Sequence, residues 1–112
     1  MEQYRIRITR QAREHLLEIR RYIEKELLSP MAAKNTIAAI KAEIQSLGNM
    51  PNRVHFTPEE PWRSFGVRRT RVKNYYIYFW INEEGRTVQI ISVIYVKRDQ
   101  ARQLEKMEME QG

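Results

Sequence analysis

Apolar and polar residues change period several times along this chain, and each period predicts an element. Near the amino end Tyr4, Ile6 and Ile8 alternate with Arg5, Arg7 and Thr9, the spacing of a short strand with one apolar face. The steps between Ala12, Leu16, Ile19, Ile23 and Leu27 are four, three, four and four residues. These side chains therefore form one stripe on a long amphipathic helix that Thr9 can cap. The opposite side carries Arg13, Glu14, Arg20, Arg21, Glu24 and Lys25, with Arg20 and Glu24 spaced for an i,i+4 pair. Ser29 before Pro30 marks a second helix start, because serine caps free amides and proline is preorganised for a first turn. Ala33, Ile37, Ile40, Ile44 and Leu47 are its stripe, and Gly48 is expected to end it in the left-handed conformation. The pair forms an antiparallel helical hairpin, with Ala32, Ala33, Ala38, Ala39 and Ala42 permitting close approach.

No period is sustained from Asn49 to Phe65, where three prolines define a loop that Trp62 and Phe65 are expected to pin onto the fold. The pattern then becomes extended. Val67, Arg69 and Arg71 fall on one side of a strand and Arg68, Thr70 and Val72 on the other. Tyr75 to Ile81 is β-branched and aromatic, with Tyr75, Ile77, Phe79 and Ile81 on one face. NEEGR at 82–86 carries Gly at a late turn position and joins this strand to Thr87–Val96 as an antiparallel hairpin. Asp99 can cap a last segment in which Ala101, Leu104 and Met107 share a face, and the tail MEMEQG is expected to fray. The fold class is α+β: an antiparallel β-sheet packed against an N-terminal two-helix hairpin, in the order β-α-α-β-β-β with a short C-terminal helix.

Composition adds boundaries. At 112 residues, 42% hydrophobic and 30% charged, the chain fits one compact domain over 1–112. It has no cysteine, which excludes disulfides and thiolate metal sites; with no export signal and no membrane-length apolar run, a cytosolic location is expected. The net charge of +6 is uneven: from Pro61 to Asn82 there are five basic residues, Arg63, Arg68, Arg69, Arg71 and Lys73, and no acid. That field suits phosphate or an acidic protein.

Few residues point to catalysis. His15 lies on the first helix and His55 in the loop, without metal-ligand spacing or a Ser/His/Asp arrangement. Glu59 and Glu60 read as solvated charges rather than an acid/base pair. No Gly-rich phosphate loop is present, and no cofactor or metal is expected. Arg, Lys and Tyr on a sheet can bind phosphodiesters, and arginine can stabilise a phosphorane, but no proton-accepting base is identified. Tyr76 and Tyr78 read as exposed and could stack on bases, although aromatic strand residues more often pack.

The segments GVRRTRVKNYYIYF and VIYVKRD, with the order of elements over about residues 4 to 105, resemble the RelE/ParE superfamily of toxins from bacterial type II toxin–antitoxin (plasmid stabilisation) modules. The resemblance implies growth inhibition and two alternative activities. RelE-like members are ribosome-dependent mRNA endonucleases that use basic residues on the sheet, an Arg at the end of the last strand and commonly a C-terminal Tyr. Carried onto this chain, that implies Arg69, Arg71 and Arg98 as the phosphate-facing set, within a target-binding surface of Arg68, Arg69, Arg71, Lys73, Lys97 and Arg98. Tyr76 stands where an Arg is expected and Leu104 where the Tyr is expected, so the set departs from the pattern. ParE-like members lack that set, often have a longer helical hairpin, and poison DNA gyrase by binding it; the long helices here favour this activity. A non-toxic RNA-binding or degenerate module is a further alternative. The resemblance also implies a cognate antitoxin that wraps the sheet and helices with an acidic, foldable segment, and a homodimer or toxin–antitoxin hetero-oligomer as the assembly.

Overall fold

In the computed structural model, residues 3–107 are described. Strand β1 (Arg5–Ile8) leads into helix α1 (Arg10–Lys25) and helix α2 (Pro30–Ser46). A loop holding a 3-10 turn at Pro51–Arg53 precedes strands β2 (Arg68–Val72), β3 (Tyr75–Asn82) and β4 (Thr87–Tyr95), and helix α3 spans Gln100–Glu105. The order is the one the pattern predicts, and the fold is α+β. The sheet runs β1-β4-β3-β2, antiparallel through β2, β3 and β4. It is mixed rather than wholly antiparallel, because β1 pairs with β4 in parallel, Arg5 opposite Thr87 and Ile8 opposite Ile90.

The helix starts follow from their caps. Thr9 Oγ1 accepts from the Ala12 amide at 3.3 Å and donates to the Ile91 carbonyl at 3.2 Å, so one residue ends β1, starts α1 and ties both to β4. Ser29 accepts from the Ala32 amide and Asp99 from the Arg102 amide. Arg20 and Glu24 form the expected pair at 2.9 Å. Two expectations fail locally. Leu27 is not part of the buried stripe: α1 stops at Lys25, Leu28 turns with φ 51°, and Leu27 stays exposed. Gly48 has no left-handed φ. Its role is close approach, since its carbonyl accepts from the Tyr4 amide at 2.9 Å and a Cβ there would stand 3.2 Å from the Tyr4 carbonyl oxygen.

The sheet is covered on both faces. Ile77, Phe79, Val88, Ile90 and Val93 pack against Ala12 and Leu16 of α1 and Ile40 and Ile44 of α2. On the other face Val67, Tyr78, Ile91 and Ile94 pack against Leu104, Met107 and Trp62. A β-bulge makes this possible: Phe79 faces Ile90 while Tyr78 faces Ser92, so Ile91 is the extra residue and the faces of β4 exchange there. Both Ile91 and Ser92 are buried. Of the tail expected to fray, Met107 is packed beneath the sheet, where Ser92 Oγ lies 3.2 Å from its Sδ, and 108–112 lie outside the described residues. Phe65 stays exposed and meets Trp62 edge-on, so Trp62 is the side chain that pins the loop.

Candidate functional site

The sheet separates five of the six basic residues into two groups and leaves Lys97 outside both. Arg68 and Arg69 lie beneath the proline-containing loop, whose residues 55–57 run along the outer edge of β2. There the Thr57 amide donates to the Val67 carbonyl at 2.9 Å and the Arg69 amide to the His55 carbonyl at 3.2 Å. Arg68 points toward the helix side, where its Nη1 donates to the carbonyls of Val54 (2.5 Å) and Asn52 (3.3 Å) and its guanidinium lies 4.1 Å from the Phe56 ring centroid. Burial pulls its guanidinium below the ordinary arginine range.

Arg69 faces the opposite side. Its Nη1 lies 3.3 Å from Glu59 Oε2 and its guanidinium stacks 4.0 Å over the Tyr76 ring, with about a fifth of each charged side chain exposed (22% and 18%). Thr57 Oγ1 donates to the other carboxylate oxygen of Glu59. Glu59 is therefore an internal partner of Arg69 and not the solvated charge expected; Glu60 is exposed and bonds Ser64. Tyr78 is likewise fully buried rather than exposed. Its hydroxyl donates to Gln100 Oε1 at 2.7 Å, and burial pushes its phenol up to about 12. It anchors α3 and offers no ring for stacking.

Arg71, Lys73 and Arg98 form the second group, at the end of the sheet where β2 turns into β3 and β4 finishes. Arg71 Nε donates to the Lys73 carbonyl at 3.0 Å, and the Val96 amide donates to the Asn74 carbonyl at 2.9 Å, so the turn and the end of β4 are one unit. All three side chains are exposed. Lys73 and Arg98 stand at a groove of about 900 Å³ between this end of the sheet and the far half of the helical hairpin. Ile19, Tyr22 and Ile23 supply one wall and Tyr75, Val93 and Tyr95 the other. The Tyr75 and Tyr95 rings meet at 5.7 Å, tilted by 57°, and burial followed by the neighbouring Tyr95 raises the Tyr75 phenol. Lys97 is exposed but does not line the groove.

The remaining candidates are structural. His15 Nδ1 accepts from the Val93 amide at 3.2 Å, satisfying a donor of β4 beyond the reach of β1, and burial lowers its pKa against the opposing pull of Glu18 and Glu14. Leu104 is fully buried on the second face, so its position supplies packing only. Among the described residues no group of three metal-ligating side chains occurs, and no helix is long and apolar enough to cross a membrane. Sequence reasoning missed Glu59, for which no local signal exists, and the tyrosine-lined groove. Tyr22 was its only trace: it stands one residue before the apolar stripe position Ile23.

Set against known proteins, residues 6–100 match the family model described as ParE toxin of the type II toxin–antitoxin system parDE. No curated protein sequence matches the chain. Among solved structures, the chromosomal ParDE system of P. aeruginosa superposes with a TM-score of 0.71 at 22% identity, covering 87% of this chain and 100% of that one. The RelBE2 toxin–antitoxin complex of Mycobacterium tuberculosis gives 0.60 at 24% identity, covering 85% and 93%. An E. coli RelE mutant in the free state gives 0.63 at 11% identity, covering 93% and 97%. At these identities the superpositions show a shared fold.

Proposed function

We propose, from the premise that this chain belongs to the ParE toxin family of type II toxin–antitoxin systems, that it arrests growth by binding DNA gyrase rather than by cutting mRNA on the ribosome. The observation that supports binding over cleavage is Arg69. A nuclease would need Arg69, Arg71 and Arg98 turned together toward one phosphate, but Arg69 is held by Glu59 and stacked on Tyr76, away from the groove end where Lys73 and Arg98 stand. Glu59, the carboxylate that faces Arg69, is itself bonded by Arg69 and Thr57 and is therefore not free to take the 2′-hydroxyl proton. In the same reading a cognate antitoxin neutralises the toxin by seating an amphipathic, acidic segment in the groove between hairpin and sheet.

Induced expression, with RNA 5′ ends mapped alongside cleavage of supercoiled DNA by purified gyrase, tests the target. Gyrase-dependent double-strand breaks with intact mRNA are expected. Codon-phased cuts in translated mRNA, abolished by Arg98→Ala, would replace the binding mechanism with the RelE-like one.

A further inference from the structure

Lys73 occupies a backbone conformation that does not suit it. It begins the turn between β2 and β3 with φ 52°, in the left-handed region that glycine adopts freely and other L-residues adopt only under strain. Three other non-glycine residues among those described share this feature, Leu28, Met50 and Arg86, but only Lys73 lines the groove. Strain retained beside a cavity points to what the side chain does there.

We propose that Lys73 is kept at this strained position for its charge, and that with Arg98 it forms a carboxylate-binding rim selecting an acidic, amphipathic segment of a partner protein for the groove. This rests on the groove being the antitoxin-docking surface. The charges at the groove are complementary to such an occupant: among the described residues that line it, Lys73 and Arg98 stand against one carboxylate residue, Glu18. Its walls are aliphatic as well as aromatic, with Ile19, Ile23, Leu27 and Val93 contributing, which suits an apolar helix face. A nucleic-acid strand fits less well. The Tyr75 and Tyr95 rings are tilted against each other by 57° rather than aligned in a stack, and among the described residues the groove lining holds two cations, Lys73 and Arg98, few for tracking a phosphate backbone.

The experiment uses the full chain and a fluorescent amphipathic peptide with leucines on one face and glutamates at one end. Its Glu→Gln isostere and an oligo-dT strand are the comparison probes. Wild type should bind the acidic peptide more tightly than the isostere and than the oligonucleotide. Lys73→Gly should do two opposite things: raise the thermal midpoint by a few degrees, because the strain is relieved, and weaken peptide binding about three- to tenfold. Lys73→Arg should keep the affinity without the gain in midpoint. A Lys73→Gly variant that binds as wild type does, or that melts lower, overturns the role of Lys73; oligonucleotide binding above peptide binding overturns the occupant. Leu27→Asp, at an exposed groove position, separates this from the docking reading itself. If Leu27→Asp weakens binding and Lys73→Gly does not, the groove stands and the rim falls. If neither changes binding, or wild type binds no peptide, both fall.

Discussion

Glu59 shows how a residue's neighbours on the chain can mislead about its neighbours in space. Set between Pro58 and Pro61 with a second glutamate beside it, it reads as loop charge, yet it faces Arg69 ten positions on, with most of both side chains out of water. Alternation along β2 correctly put Arg69 and Arg71 on one face. It could not say that a crossing loop would cover one and leave the other open, because that depends on the 55–57 segment docking on the strand edge. The energetic consequence is measurable. A pair this shielded should couple by about 1–2 kcal/mol in a double-mutant cycle of Glu59→Gln with Arg69→Met. The exposed Arg20–Glu24 pair should couple by about 0.3–0.5 kcal/mol in the same urea-unfolding measurement. Equal coupling energies would mean that Arg69 is free to meet an external anion. Tyr78 adds a second check: Tyr78→Phe leaves Gln100 without its donor and should cost about 1 kcal/mol by the same method.

Elements with strong local signals were legible. Caps at Thr9, Ser29 and Asp99, the two helix stripes apart from Leu27, and the β3–β4 hairpin appear where the pattern puts them. What the pattern could not carry was the parallel docking of β1 and the bulge at Ile91, since a run such as VQIISVIYV is apolar on both faces and gives no sign of where the faces exchange. The bulge and the short β1 leave the Val93 amide to be satisfied by α1, through His15. A pH dependence follows. Burial lowers the folded-state pKa of His15 below its ordinary 6.5, so the unfolded chain takes up the proton first as the pH falls. The stability from neutral His15 is therefore fully present above about pH 6.5 and declines below it, levelling out beneath the depressed folded-state value. Urea midpoints from about pH 7.5 down to 5 should show this decline in the wild type and a smaller one in His15→Gln, which keeps an acceptor for Val93 without an imidazole to protonate. Parallel slopes would mean that the acid sensitivity lies elsewhere.

Over the whole molecule, the net charge of +6 and its concentration after residue 60 were visible from composition, and they point to an acidic or phosphate-bearing partner. Composition could not divide that charge into cations that build the fold and cations that face outward. The structure makes the division: Arg68 and Arg69 hold the loop to β2 through the Val54 and Asn52 carbonyls, Phe56 and Glu59, whereas Arg71 and Arg98 are exposed at the sheet end beside Lys73. Alanine at the two sets should consequently have opposite signatures. Arg68→Ala and Arg69→Ala each remove a guanidinium from partly buried polar contacts and should lower stability by about 1–3 kcal/mol, with growth inhibition falling only as folded protein is lost. Arg71→Ala and Arg98→Ala should stay within about 0.5 kcal/mol of wild type in stability. They should nonetheless weaken growth inhibition or antitoxin binding, and the deficit should shrink as salt rises, because the wild type loses the same long-range attraction to screening. Thermal melts paired with an induced-growth assay and calorimetry at two ionic strengths read both axes. If Arg68 and Arg69 governed binding at unchanged stability, the loop would have to open in the active form and release them, and the toxin's working surface would then include the edge of β2 that residues 55–57 cover.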